Sequence, residues 1–171
     1  MLFRSKMSPM NRSKLSLAVI LLMVLAGCSS QGEPPIGSAN SSVQFEFPEV
    51  TGGASPTIAK PVGAAPSDLQ IKDLTIGSGA PVGPSSTVQV NYVGVSWSTG
   101  EVFDSSYERG IPAEFPLANV IQGWRDGLSG AKVGGRREIV IPPGLAYGPT
   151  GQGPIGPNET LVFVVDILGV Q

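Results

Sequence analysis

The residue types in this chain leave little scope for acid–base or covalent chemistry. Its 171 residues include no histidine and a single cysteine, Cys28. Histidine is the commonest general base and the commonest metal ligand, so its absence argues against hydrolytic triads and zinc sites. No phosphate-binding glycine motif and no paired-carboxylate signature is present in the sequence either. A reaction would therefore depend on the shape and dielectric of a pocket more than on proton transfer, and no metal or cofactor is expected.

Short segments in the second half of the chain combine aromatic, glycine and small polar residues in a fixed order. Three of them are VFDSS at 102–106, VIQGW at 120–124 with GL at 127–128, and PGLAYG at 143–148. VNYVG at 90–94 and TLVF at 160–163 lie around them. These five motifs resemble those of the FKBP-type peptidyl-prolyl cis–trans isomerases, and the resemblance covers residues 68–171. It extends more loosely to actinobacterial lipoproteins that carry such a domain behind a proline-rich tether.

The resemblance implies a role for each matching residue. Trp124 would form the floor of a pocket under a prolyl ring, while the N–H of Ile121 and the hydroxyl of Tyr147 would bind substrate carbonyls. The implied catalytic residues are Tyr92, Phe103, Asp104, Ile121, Trp124, Tyr147 and Phe163, and the implied substrate-binding residues are Phe115, Val120, Ile155 and Arg109, the last paired with Asp104. The implied partners are Xaa-Pro polypeptides and macrolides such as rapamycin or tacrolimus. Ala113 departs from the pattern, because an aromatic wall residue often stands there.

Isomerisation of a prolyl bond is a reaction that such residues could catalyse. Resonance gives the C–N bond a rotation barrier of ~18–20 kcal/mol, and water stabilises the planar, polar amide more than the twisted form. Removing water around the bond therefore favours the transition state, while fixed donors hold the flanking carbonyls. The uncatalysed reaction is slow enough to limit folding. The predicted function is therefore an isomerase that assists the folding of secreted or cell-envelope proteins.

The same residues also have simpler interpretations. Trp124, Phe103, Phe163 and Ile121 could be ordinary core residues. Asp104 and the two serines that follow it could form a turn. The order of the five motifs favours the enzyme over these interpretations. A holdase-like chaperone or protein-binding module, with the same fold and little turnover, remains the alternative.

From Asp68 onward the pattern predicts an α+β domain, in which an antiparallel five- or six-stranded sheet wraps around one short helix. Period-2 runs separated by turn residues predict strands at 69–71, 87–95, 102–103, 137–141 and 160–168. The last run is almost continuously apolar, which is typical of a central strand covered on both faces. The single predicted helix covers 121–128, where Ile121, Trp124 and Leu128 share one face.

The N-terminal third predicts a targeting signal and a tether. Residues 1–14 are basic, residues 15–26 are apolar apart from Ser16, and LAGC follows at 25–28. This is the layout of a secretory signal peptide. LAGC resembles the bacterial lipobox, which implies that a lipoprotein signal peptide, 1–27, is removed and that Cys28 carries the lipid. The apolar run is shorter than the roughly 20 residues that a membrane-spanning helix needs. A tether rich in Ser, Gly and Pro would follow at 28–67, and its segment 43–47 could either add an edge strand to the domain or remain tether.

The charge distribution argues against a nucleic-acid partner. Four basic residues precede Cys28, which leaves 7 basic and 13 acidic side chains in the remainder, a net charge of −6. A cationic binding surface is therefore not expected. The sequence predicts a monomeric isomerase domain at 68–171, held by a lipid anchor at the extracytoplasmic face of the cell membrane.

Overall fold

The computed structural model describes residues 45–171, so the predicted signal peptide, Cys28, Val43 and Gln44 lie outside the described residues. The strands of the described part are β1 Val50–Thr51, β2 Thr57–Ile58, β3 Gln70–Thr75, β4 Thr87–Ser96, β5 Val102–Ser105, β6 Ala113–Pro116, β7 Arg136–Ile141 and β8 Leu161–Val170. Its helices are α1 Ser106–Arg109 and α2 Gln122–Leu128, with 3-10 turns at Leu117–Asn119, Pro143–Leu145 and Gly148–Thr150. No helix within residues 45–171 is long and apolar enough to cross a membrane.

Six strands form one antiparallel sheet with β4 and β8 at its centre. The strands lie in the order β3-β7-β8-β4-β5, and β6 also pairs with β4. One edge of β4 pairs with β8 from Val88 to Ser96. The other edge is shared, because β5 pairs with residues 93–95 and β6 with residues 87–90. The predicted antiparallel sheet with one short helix is confirmed, and each predicted strand overlaps β3, β4, β5, β7 or β8.

The helix α2 packs on the inner face of the sheet, where two glycines permit a close approach. A Cβ atom on Gly123 would overlap Cγ2 of Ile141, and one on Gly127 would lie 2.8 Å from Cγ2 of Ile139. A helix of seven residues is too short to be stable by itself. Burial of its apolar face, including Trp124, therefore holds it against β7 and β8.

The outer face of the sheet is covered by residues 45–66, which we call the strap. Its strands β1 and β2 pair with each other, and its apolar side chains pack on β4, β7 and β8. This cluster contains Phe45, Phe47, Val50 and Ile58 from the strap and Val93, Val95, Trp97, Val140, Val162 and Val164 from the sheet. The ring of Phe45 stacks on that of Trp97 with centroids 6.0 Å apart. The strap explains why β8 is apolar on both faces.

The strap differs from both alternatives that the sequence leaves open for residues 43–47. Residues 45–47 belong to no strand, so the described part of that segment does not extend the sheet. Phe45 and Phe47 instead lie against side chains of the outer face. The segment is therefore held by burial of apolar side chains and not by hydrogen bonds to a neighbouring strand. Strand-like alternation of apolar residues is compatible with either outcome.

Four elements of the described part are absent from the sequence-based prediction: the strands β1, β2 and β6 and the one-turn helix α1. The helix α1 is one turn long: Ser105 accepts a hydrogen bond from the N–H of Glu108 at 3.3 Å, and Gly110 ends the turn with a φ of 72°. One turn is too short to show a helical period in the sequence. The strand β6 escapes prediction because Pro112 precedes it, Pro116 is its last residue, and its run is only four residues long.

A carboxyl group is buried on the outer face, beside the strap. The side chain of Glu138 is fully buried, and neither carboxyl oxygen has a hydrogen-bond partner among residues 45–171. Its Oε2 atom lies 3.9 Å from Nζ of Lys72, and this ammonium lies 5.3 Å from the ring centroid of Phe47. Burial raises the pKa of Glu138 to about 7, although the charge of Lys72 opposes the rise.

Glu138→Gln should remove a pH dependence of stability. Because the pKa of Glu138 is higher in the folded than in the unfolded chain, ionisation favours unfolding as the pH rises from about 4.5 to about 7. Above that window the glutamine variant should be more stable than the parent protein by up to ~3 kcal/mol, and near pH 4 the two should be equal. Denaturant unfolding at pH 4, 6 and 8 measures the difference, with the exposed Glu114→Gln as control. Equal pH profiles of the parent and the Glu138 variant would contradict the assignment.

Candidate functional site

A cavity of about 370 Å³ opens between α2 and the inner face of the sheet. It is lined by Tyr92, Phe103, Asp104, Phe115, Asn119, Val120, Ile121, Trp124, Tyr147, Gln152 and Phe163. All seven residues predicted as catalytic are in this set, as are two of the four predicted as substrate-binding, Phe115 and Val120. The tertiary structure therefore gathers residues that are far apart in the sequence, from β4 to β8.

Trp124 is the central ring of the cavity. It is 4% exposed, and the rings of Tyr92, Phe115 and Phe163 meet it at 85–90° with centroids 5.2–5.5 Å away. Edge-to-face contacts of this kind are the favoured arrangement of aromatic pairs and fix the orientation of each ring. The indole is therefore held rigidly, with apolar ring surfaces around it.

The cavity wall next to Trp124 depends on Gly94, which has no side chain. The rings of Phe103 and Phe163 pack edge to face at 5.4 Å, directly over the backbone of Gly94. A Cβ atom on Gly94 would lie 2.6 Å from Cζ of Phe103 and 2.7 Å from Cε1 of Phe163. Both rings can occupy this wall because β4 carries a glycine at that point.

Polar groups at one side of the cavity form a closed network. The hydroxyl of Tyr92 donates to Oδ2 of Asp104, and Arg109 donates both to Oδ1 of Asp104 and, at 2.9 Å, to the hydroxyl of Tyr92. Burial, and then the hydrogen bond to Asp104, raise the pKa of Tyr92 to about 12. The phenol consequently stays protonated, and the carboxylate charge is balanced by the guanidinium.

Two donors on the lining are not used inside the described part of the protein. The hydroxyl of Tyr147 makes no hydrogen bond within residues 45–171, and burial, followed by the nearby charge of Asp104, raises its pKa. Ile121 is the N-cap residue of α2, and its N–H donates to no group in the same range. Both donors are therefore available to an occupant of the cavity.

The remaining predicted site residues lie behind the lining. Arg109 reaches Tyr92 and Asp104 but does not line the cavity. Ile155 is 7% exposed and packs in the core, while its backbone exchanges two hydrogen bonds of 2.9 Å with Gln152. Ala113 pairs with Val90 in the sheet and is not part of the lining.

Two lining residues, Asn119 and Gln152, are not among those predicted from the sequence. Both are amides in short turns, Asn119 at the end of a 3-10 turn and Gln152 beside the bridge to Ile155. A polar residue in a turn is ordinary surface composition, so the sequence carries no signal that would single them out. Their position at the cavity follows from the path of the two loops.

The arrangement suits an apolar, ring-shaped group with polar groups on either side of it. The cavity volume is within the range of roughly 300–1,000 Å³ typical of ligand sites. The walls are aromatic and aliphatic, and the one carboxylate on the lining, Asp104, is already paired with Tyr92 and Arg109. A bound group would lose contact with water without meeting an unpaired carboxylate on the lining.

A family model, curated relatives and solved structures all match the part of the chain that forms the sheet and the cavity. Residues 79–168 match the family model described as FKBP-type peptidyl-prolyl cis-trans isomerase. A probable FK506-binding protein of Corynebacterium glutamicum is 51% identical over 113 residues, which cover 66% of this chain and 96% of that protein. The outer membrane protein MIP of Legionella longbeachae is 45% identical over 107 residues, 62% of this chain and 46% of that protein. The crystal structure of FkpA from Escherichia coli matches with a TM-score of 0.58 and 44% identity, over 63% of this chain and 51% of that one.

Gly94→Ala should distort the cavity wall that Phe103 and Phe163 form, because the added methyl group would lie beneath their rings. The added methyl group would displace the rings of Phe103 and Phe163, at a cost of roughly 1–3 kcal/mol in the free energy of unfolding. The affinity for a short proline-containing peptide should fall as well, because the wall is shifted. Chemical unfolding and calorimetric titration measure the two effects. Gly144→Ala is the control, since a methyl group added there would have no heavy atom within 4 Å, and equal behaviour of the two variants would refute the wall assignment.

Proposed function

Because the chain belongs to the FKBP-type peptidyl-prolyl cis–trans isomerases, we propose that rotation about the Xaa-Pro bond takes place in the cavity above Trp124. The observation that carries this proposal is the pairing of an aromatic, water-excluding lining with two unused donors, the N–H of Ile121 and the hydroxyl of Tyr147. The prolyl ring would lie on the indole, against the wall that the packed rings of Phe103 and Phe163 form. Phe115 of β6 and Val120, which follows the 3-10 turn, would complete the apolar contact.

Desolvation supplies the first part of the catalytic effect. The planar amide is more polar than the twisted one, so transfer from water to aromatic walls raises the free energy of the ground state relative to the transition state. The barrier to rotation is ~18–20 kcal/mol, and each ~1.4 kcal/mol of such differential stabilisation raises the rate tenfold. No nucleophile is needed, which agrees with a chain that has no histidine.

Positioning supplies the second part. A donor that binds a substrate carbonyl on one side of the rotating bond holds that half still while the other half turns. The N–H of Ile121 and the hydroxyl of Tyr147 come from different elements, so they can bind two carbonyls at once. Asp104 and Tyr92, locked to each other and to Arg109, would form the rim that faces the carbonyl of the Xaa-Pro bond.

The substrates we propose are unfolded or folding polypeptides outside the cytoplasmic membrane. The support is the N-terminal layout, with a basic stretch, an apolar run and LAGC ending at Cys28. A lipid on Cys28 would hold a monomeric isomerase at the extracytoplasmic face. Macrolides such as rapamycin or tacrolimus would compete for the same cavity, since their ring systems can take the place of the prolyl group.

Tyr147→Phe should lower kcat/KM for a short Xaa-Pro peptide by roughly tenfold, the effect of one lost donor worth ~1.4 kcal/mol in the transition state. The pair Tyr147→Phe with Asp104→Ala should lose more, while the exposed Glu114→Gln should not differ from the parent protein. A protease-coupled or NMR exchange assay on purified protein gives the rates. A parent protein that is folded and binds the peptide but shows no rate above background would favour the holdase-like binding module instead.

Cys28→Ala should move the protein from the membrane to the soluble fraction or the medium. The sulfur is the proposed attachment point for the acyl chains, and each buried CH₂ of such chains contributes ~0.8 kcal/mol to membrane binding. Fractionation of cells that express each form, followed by immunoblotting, measures the shift. A Ser30→Ala variant is the matched control, and unchanged membrane retention of the Cys28 variant would rule out the anchor.

A further inference from the structure

On the edge of β4 that faces β5 and β6, the strand pairing is interrupted beside the cavity. On this edge β6 pairs with residues 87–90 and β5 with residues 93–95, which leaves Asn91 and Tyr92 without a strand partner there among the described residues. The chain between β5 and β6 forms α1 and passes this gap. Tyr92 also forms a wall of the cavity. A group that binds its backbone in this gap therefore also helps to set the position of that wall.

Ser106 fills the gap from the first position of α1. Its side chain is fully buried, and its Oγ accepts the N–H of Tyr92 at 2.8 Å. The same hydroxyl lies 3.1 Å from Oδ1 of Asn91, to which it can donate. The hydroxyl therefore replaces the missing ladder bond and ties α1 to β4.

Tyr107 ties α1 to the strand beyond β4. Its hydroxyl donates to Oδ2 of Asp166 in β8, a carboxylate that also accepts two hydrogen bonds from Arg136 at 2.5 and 2.7 Å. Burial, and then the bond to Asp166, raise the pKa of Tyr107 to about 12, so the phenol remains a donor at physiological pH. The anchor point is rigid because Asp166 is itself held by a bidentate ion pair.

The last residue of α1 is Arg109, whose guanidinium lies 5.5 Å from the ring centroid of Tyr92 and binds both Asp104 and the hydroxyl of Tyr92. A single turn of four residues has no stability of its own. The place of Arg109 is thus decided by the contacts that hold the turn to the sheet.

We propose that Tyr107 and Ser106 are positioning residues of the isomerase, which dock α1 on β4 and β8 and so hold Arg109 against Asp104 and Tyr92. The inference rests on the proposed roles of Asp104 and Tyr92 in the function above. Release of the turn removes one of the two partners of the Asp104 carboxylate and frees the ring of Tyr92. The edge-to-face contact of Tyr92 with Trp124 then loses its fixed geometry, and bound substrate is turned over more slowly.

Tyr107→Phe tests the proposal with the smallest change. The ring remains, and Asp166 keeps its ion pair with Arg136, so no buried charge is left alone. We expect kcat/KM to fall roughly three- to tenfold, the range for one lost hydrogen bond, with most of the loss in kcat rather than in KM. Glu108→Gln, an exposed change on the same turn, is the matched control and should retain full activity. Chemical unfolding of both variants confirms that they are folded under the assay conditions.

The same substitution in Arg109→Met protein distinguishes the positioning of Arg109 from a general loss of stability. In Arg109→Met protein, which has no guanidinium to position, Tyr107→Phe should produce no further loss of kcat/KM, although its effect on the unfolding midpoint should persist. Equal losses in the parent and Arg109→Met backgrounds, or full activity of the folded Tyr107 variant, would overturn the proposal. Ser106→Ala should lose more activity in the parent protein, because the N–H of Tyr92 is also left unpaired. Only the part of that loss that acts through Arg109 should disappear in the Arg109→Met background.

The same variants separate the positioning role of α1 from the function on which it rests. If Asp104→Ala and Arg109→Met lower the rate while Tyr107→Phe does not, the proposed site stands and the positioning role of α1 is wrong. If Asp104→Ala and Arg109→Met both retain full activity, the polar rim itself is wrongly assigned, and the positioning role is overturned with it.

Discussion

The pairing of β4 with three other strands is the constraint on which the rest of the structure depends. Its ten residues give one complete edge to β8 and divide the other between β5 and β6. The division places a one-turn helix beside the cavity, and the inward side of the strand carries Tyr92 into the cavity wall. A shift of β4 by one residue would send Tyr92 to the outer face and break the site.

The cavity is shaped mainly by the packing of aromatic rings. The rings of Tyr92, Phe115 and Phe163 meet Trp124 edge to face, so the orientation of each ring is fixed. The one carboxylate on the lining, Asp104, is already engaged by Tyr92 and Arg109. Neutral donors on the lining, among them the N–H of Ile121 and the hydroxyl of Tyr147, have no partner within residues 45–171. Apolar contact and neutral hydrogen bonding are compatible with the bond rotation that we propose for this cavity.

The two faces of the sheet have different roles. The inner face packs on α2 and forms the cavity, while the outer face carries an apolar surface that would be exposed without the strap. Burial beneath the strap has one unfavourable element, the carboxyl of Glu138, whose ionisation opposes folding above its raised pKa of about 7. The aromatic contacts of Phe45 and Phe47 with the outer face offset this cost.

The sequence alone determined the strand pattern and the position of α2, because period-2 runs and glycine turns are local signals. The order of its motifs also indicated nine of the eleven residues that line the cavity. It did not determine that residues 45–66 cover the sheet, since alternating apolar residues suit a strap as well as a strand. Tertiary structure also decided which side chains line the cavity. Asn119 and Gln152 reach it from turns, whereas Ile155 and Arg109, both predicted to bind substrate, lie behind its walls. Those outcomes depend on how distant loops meet, and a local pattern cannot encode the distance between two segments that only the folded sheet brings together.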